Sequence, residues 1–136
     1  MAWVVDTCLL IDIADADPNF GIASALFLDS KRPSGLLVSP VTFIELAPVF
    51  GGDRQAQDEF LFNLEVSHFE FWMDVDTQRA HTAWHEYVVA RRLRQTPKRP
   101  LADILIGAFA QRFDGLLIRN PADFRQIFPA LNVETP

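Results

Sequence analysis

Apolar positions along this chain fall in short bursts separated by longer stretches of helical spacing. Trp3-Val4-Val5 is an unbroken apolar run that stops on Asp6, and its β-branched valines predict a buried strand. Leu36-Leu37-Val38 reads as a second strand, Phe69-Glu70-Phe71-Trp72-Met73 as a third and Leu116-Leu117-Ile118 as a fourth, with a terminal strand around Val133. Between them lie predicted helices. Leu9 to Ala14 forms a first helical turn, and the segment from about Phe20 to Ser30 places Ile22, Leu26 and Phe27 on one side. Ser39-Pro40 is a start signal, a hydroxyl at the N-cap and proline at the first helical position, for a helix that carries Val41, Ile44, Glu45 and Leu46 and stops near Pro48. Gly51-Gly52 precedes a helix from about Arg54 to Val66, and Asp76 is placed to cap a long helix from Thr77 to about Arg94. Thr96 to Pro100 is a loop, Leu101 to Phe113 the next helix, ended by Asp114-Gly115, and Ala122 to Phe128 a short last one. Short apolar strands alternating with helices predict an α/β fold, a short-stranded, mostly parallel sheet with helices on both faces.

Composition narrows the setting. At 136 residues, 49% hydrophobic and 22% charged, the chain fits one compact soluble domain spanning residues 1–136. No apolar run approaches the roughly 20 residues that span a bilayer, and Asp6 interrupts the apolar start where a signal peptide would need continuity. Cys8 stands alone, so no internal disulfide forms and a cytoplasmic location is expected, with the thiol as a packing group rather than a nucleophile. The net charge of −6 opposes nucleic-acid binding unless the acids hold cations. Positive charge is concentrated at Arg91, Arg92, Arg94, Lys98 and Arg99, which reads either as a solvated helix end or as a surface for RNA phosphates carried by Arg94, Lys98 and Arg99.

In parallel α/β sheets, ligands collect beyond the carboxyl ends of the strands. Asp6 ends the first strand, Glu45 lies in the helix after the second, Asp103 heads its helix, and Asp123 follows the fourth strand. A single acid after a strand is usually a turn former or cap; a set in matching positions points to a shared site. Asp103 and Glu45 each lie within apolar stretches, where an unpaired carboxylate is costly. Carboxylates crowded together repel unless a cation lies between them, and oxygen-only ligands favour Mg²⁺ or Mn²⁺. Such ions support phosphodiester hydrolysis with no nucleophile from the protein.

The same segments resemble the PIN-domain family. VVDTCLLIDI is similar to its opening, an apolar strand followed by Asp-Thr and an aliphatic pair; SPVTFIELA resembles its second segment with a helical Glu; PLADILIGAFAQRFDGLLIRNPADF resembles its third, an Asp heading an alanine-rich helix and an Asn-x-x-Asp-Phe ending. These motifs span nearly the whole chain, and their layout most resembles VapC-type toxins. The resemblance implies a PIN-like fold, RNA cleavage dependent on Mg²⁺ or Mn²⁺, an antitoxin that blocks the site, and homodimerisation. It assigns Asp6, Glu45 and Asp103 to the acidic core, Asp6 and Asp103 as metal ligands, Asp123 to the variable fourth acid, Asn120 to orientation of a water and Thr7 to a hydroxyl beside the first acid. The chain departs at Ile118, where a Thr or Ser usually precedes Arg-Asn, removing one polar group near the site.

Other readings fit less well. His81 and His85 have metal-ligand spacing but lack the Glu of an H-E-x-x-H helix, so a surface or interfacial role is expected. A receiver domain needs an acidic pair closing its first strand, and a haloacid-dehalogenase-like phosphatase needs Asp-x-Asp, where Cys8 stands. A catalytically silent PIN-like binding module and a housekeeping RNA-processing nuclease are the competing functions. The surplus of Phe suggests an apolar surface that an antitoxin or a second copy covers.

Overall fold

A computed structural model describes residues 2–94 and 101–136, without the side chains of 91–94. The strands are β1 (Trp3–Val5), β2 (Leu36–Leu37), β3 (Val66–Ser67), β4 (Gly115–Leu117) and β5 (Val133–Glu134). The helices are α1 (Thr7–Ala14), α2 (Gly21–Lys31), α3 (Pro40–Glu45), α4 (Arg54–Asn63), α5 (Asp74–Arg94), α6 (Leu101–Ala110) and α7 (Ala122–Ile127). The strands form one sheet in the order β3-β2-β1-β4-β5, and every pairing is parallel. β1 lies at the centre, with Trp3 opposite Leu36 on one side and Gly115 on the other.

Alternation along the strands divides the core between two faces. Val4, Leu37, Leu116 and Ile118 join Ala80, Ala83, Ile104, Phe109 and Phe124, so α5, α6 and α7 cover one face. Trp3, Val5, Leu36, Val38 and Leu117 join Leu9, Leu10, Leu28 and Leu61, so α1, α2 and α4 cover the other. Covering both faces explains why the central strands read as continuous apolar runs. Gly107 lets α6 approach α7, since a Cβ there would lie 2.4 Å from the Phe128 ring.

Four expectations are corrected. The helix expected to reach Val66 ends at Asn63; Glu65, at φ 58°, turns the chain in the left-handed region, and Val66 pairs with Leu36 as the third strand. Phe69–Met73 is not a strand, because its polar groups bond to neighbouring helices instead of a ladder. Met73 N donates to Asp76 Oδ2 (2.9 Å), Phe71 O accepts from Arg112 (2.8 Å), and the Trp72 indole donates to Thr77 Oγ1 (2.7 Å). Asp76 therefore lies inside α5, whose helix begins at Asp74, rather than before it. On α2 the buried positions are Gly21, Ser24 and Leu28, while Ile22 and Leu26 face outward. A short helix of mixed composition has its inward face set by what packs beneath it, here α1.

Candidate active site

Parallel strands direct all their carboxyl ends to one edge of the sheet, and the chain leaves β1, β2 and β4 there. Asp6 N donates to Leu117 O at 2.9 Å, which fixes the first acid against the end of β4. The Asp6 side chain caps α1, Oδ2 accepting from Cys8 N at 3.1 Å. It is buried, no cation pairs with it among the described residues, and desolvation raises its pKa despite hydrogen bonds that pull the other way.

Thr7 connects this acid to the helix after β2. Its hydroxyl donates to Glu45 Oε1 at 2.7 Å and lies 3.0 Å from Thr42 Oγ1. A hydroxyl has one proton to give, and the carboxylate takes it, so the Thr42 hydroxyl supplies the bond to Thr7. Ser39 Oγ lies 3.4 Å from Thr42 Oγ1 and caps α3 by accepting from Thr42 N at 3.1 Å. Ser39, Thr42 and Thr7 thus form a buried row of hydroxyls ending on Glu45, whose own side chain is exposed. Asp103 stands, half-buried, in the first turn of α6, which packs against α3. Asn120 and Asp123 are exposed beyond β4, Asp123 in the first turn of α7.

The structure joins Asp6 to Glu45 through Thr7 and keeps Asp103, Asn120 and Asp123 on elements that border the same edge. Among the described residues, no three His, Cys, Asp or Glu side chains close on one another as a metal cage. The donor set nevertheless suits a hard ion: Mg²⁺ keeps several waters and takes one or two carboxylates together with substrate phosphate. Asp6 is buried with no cation paired to it among the described residues, and a bound cation would offset its desolvation.

Arg94 belongs to α5, but its side chain, like all of Lys98 and Arg99, lies outside the described residues. His81 and His85 are exposed on α5. Burial and the adjacent Asp6 charge push the Cys8 thiol well above its usual range, which disfavours the thiolate form. Ile118 is buried in the core and its N donates to Glu134 O, so the departure from the family pattern serves packing. Sequence reasoning missed Thr42 and the pair formed by Asp12 and Arg119. Ser39-Pro40 marked the cap from which Thr42 could have been found; nothing local couples residues 12 and 119.

The sequence matches the model of the PIN domain family over residues 3–127, and the chain belongs to that family, a family of nucleases. Among solved structures it is similar to a chain in the crystal structure of VapBC2 from Rickettsia felis bound to a DNA fragment from their promoter. The TM-score is 0.66 at 19% identity, covering 100% of this chain and 99% of that one. No curated protein matches the sequence.

Proposed function

We propose that this chain is an endoribonuclease that uses Mg²⁺ or Mn²⁺ held by Asp6 and Asp103, and that it is the toxin of a toxin–antitoxin pair. The observation that carries the reading is the buried Asp6, with no cation paired to it among the described residues, next to Thr7, whose hydroxyl bonds Glu45 at the carboxyl edge of a PIN-family sheet. When bound, the ion supplies acidification of water and offsets charge on the scissile phosphate. The chain's own residues set the geometry. Cys8 N and the start of α1 hold the Asp6 carboxylate in place. The hydroxyl row holds Glu45 through Thr7, the residue after Asp6, and from there Glu45 can accept a proton from the attacking water. Asn120 and Asp123, exposed beyond β4, can orient water and RNA, and Arg94, Lys98 and Arg99 are proposed to meet flanking phosphates.

The toxin reading rests on the likeness to a structure of VapBC2 and on apolar side chains left in solvent, among them Phe20, Ile22, Leu26, Phe69 and Phe71. An antitoxin and a second copy of the chain are the partners proposed for them, in the cytoplasm; no helix of the described residues is long and apolar enough to cross a membrane. The test is RNA cleavage with and without Mg²⁺ or Mn²⁺ by wild type and Asp103→Asn. Cleavage that depends on the ion and disappears in the folded variant supports the reading; equal rates for both would overturn it. Expression without a partner should arrest growth and Asp6→Ala should relieve it. A wild type that cleaves RNA yet is harmless would identify a housekeeping nuclease instead.

A further inference from the structure

Two residues past the Leu117 carbonyl that receives Asp6 N, Arg119 lies across the start of α2. Its Nε is 3.0 Å from Asp12 Oδ2 and one Nη donates to Asp12 Oδ1 at 3.3 Å. The guanidinium also lies 4.1 Å over the Phe20 ring. Asp12, at 4% exposure, accepts a further bond from Ser24 Oγ at 3.3 Å, so both its oxygens are committed. Gly21 permits this assembly: a Cβ there would lie 3.1 Å from Asp12 O, so α2 approaches α1 closely enough for Ser24 and Phe20 to reach.

The carboxylate and the ring fix the plane of the guanidinium from one edge and one face. Its other Nη has no hydrogen-bond partner among the described residues, and the side chain keeps 37% of its exposure. A planar, permanently charged group held in this way presents a donor edge without further ordering cost, which suits a phosphate oxygen. Arg119 immediately precedes Asn120 at the edge already described. We propose that Arg119, oriented by Asp12 and Phe20, is a phosphate subsite for the RNA strand beside the metal centre.

The proposal rests on the ribonuclease reading, so its test uses binding rather than cleavage. Affinity for a short single-stranded RNA is measured in EDTA across a salt series for wild type, Arg119→Ala, Arg119→Lys and Asp12→Asn, with a melting curve for each. Arg119→Ala should weaken binding about tenfold or more and flatten the salt slope by up to about 0.7 of a unit. Arg119→Lys decides between a site and a diffuse field. It keeps the charge and cannot engage Asp12 and a phosphate through one planar fork, so it should also lose severalfold affinity; a field effect predicts wild-type binding. Asp12→Asn leaves the arginine charge uncompensated and should tighten low-salt binding while slowing cleavage. A purely structural ion pair predicts lower melting temperatures with unchanged RNA affinities and parallel slopes. That result overturns the subsite, as does a wild type that binds no RNA. A wild type that binds RNA without cleaving it defeats the nuclease reading alone, and the slopes still decide Arg119.

Discussion

Two arginine–aspartate pairs occupy opposite roles in this molecule. At the corner of α5 and α6, Arg112 Nε lies 2.8 Å from Asp76 Oδ1 and one Nη donates to both Asp76 Oδ2 (2.9 Å) and Phe71 O (2.8 Å). The same guanidinium sits 4.9 Å from the rings of both Phe109 and Phe113, and Asp76 is fully buried. Little of that cation is left to meet a ligand, and its bonds tie the 69–73 loop and α5 to the turn that follows α6. Among the described residues, Arg119 has one aromatic neighbour, one carboxylate and an open edge. The residue types are identical, and what differs is how much of the guanidinium the fold has already used. A spent ion pair holds structure; a partly spent one at the edge of a nuclease sheet can act on a substrate.

The carboxylates show the same division. Asp76 has its arginine, while Asp6 is buried with none paired to it among the described residues. Asp6→Asn should therefore abolish cleavage, by about a thousandfold or more, equivalent to about 4 kcal/mol of transition-state stabilisation. Steady-state cleavage assays check this, and a folded variant within tenfold of wild type would show that Asp6 is not a ligand. Arg112→Ala should do the reverse. It leaves Asp76 buried and unpaired, at a cost of about 3–5 kcal/mol, with cleavage per folded molecule unchanged. Denaturant unfolding alongside single-turnover kinetics separates the two effects.

Smaller effects sharpen the contrast. Thr7→Val removes the hydroxyl that holds Glu45 and should lower kcat about ten- to a hundredfold, with Tm shifted by only a few degrees. Equal losses in RNA affinity and kcat would instead mark Thr7 as a packing residue.

The smallest effect concerns pH without metal. Burial raises the Asp6 pKa in the folded chain above its unfolded value, so the folded state favours the protonated acid. The Asp6 contribution is thus fully present below the unfolded pKa and is lost as pH rises through the folded one. In EDTA, Asp6→Asn should gain stability relative to wild type across that rise, and Mg²⁺ or Mn²⁺ should stabilise wild type more than the variant. A constant difference between the two proteins at every pH would show that Asp6 is solvated or paired.

Local pattern determined a good part of this protein. The apolar runs at Trp3, Leu36 and Leu116 became adjacent parallel strands because a strand buried on both faces needs continuous apolar sequence. Ser39-Pro40 started α3 as its chemistry dictates, since a hydroxyl acceptor and a proline without N–H both suit a helix N-terminus. The order of acids after strands and in first helical turns pointed to the carboxyl edge of the sheet, where the Thr7 hydroxyl beside Asp6 bonds Glu45. Other features were decided only by tertiary structure. Phe69–Met73 has strand-like composition, but side-chain bonds from Arg112, Asp76 and Thr77 claimed its polar groups. Ile22 and Leu26 share a helix side yet face solvent, because α1 selected the opposite face of α2. Thr42 reaches Thr7 across 35 residues, and Arg119 reaches Asp12 across 107. Hydrophobic period and capping are local properties of backbone geometry and can be read along a chain. The pairing of a particular hydroxyl or guanidinium depends on distances that exist only once the sheet has brought remote strand ends together.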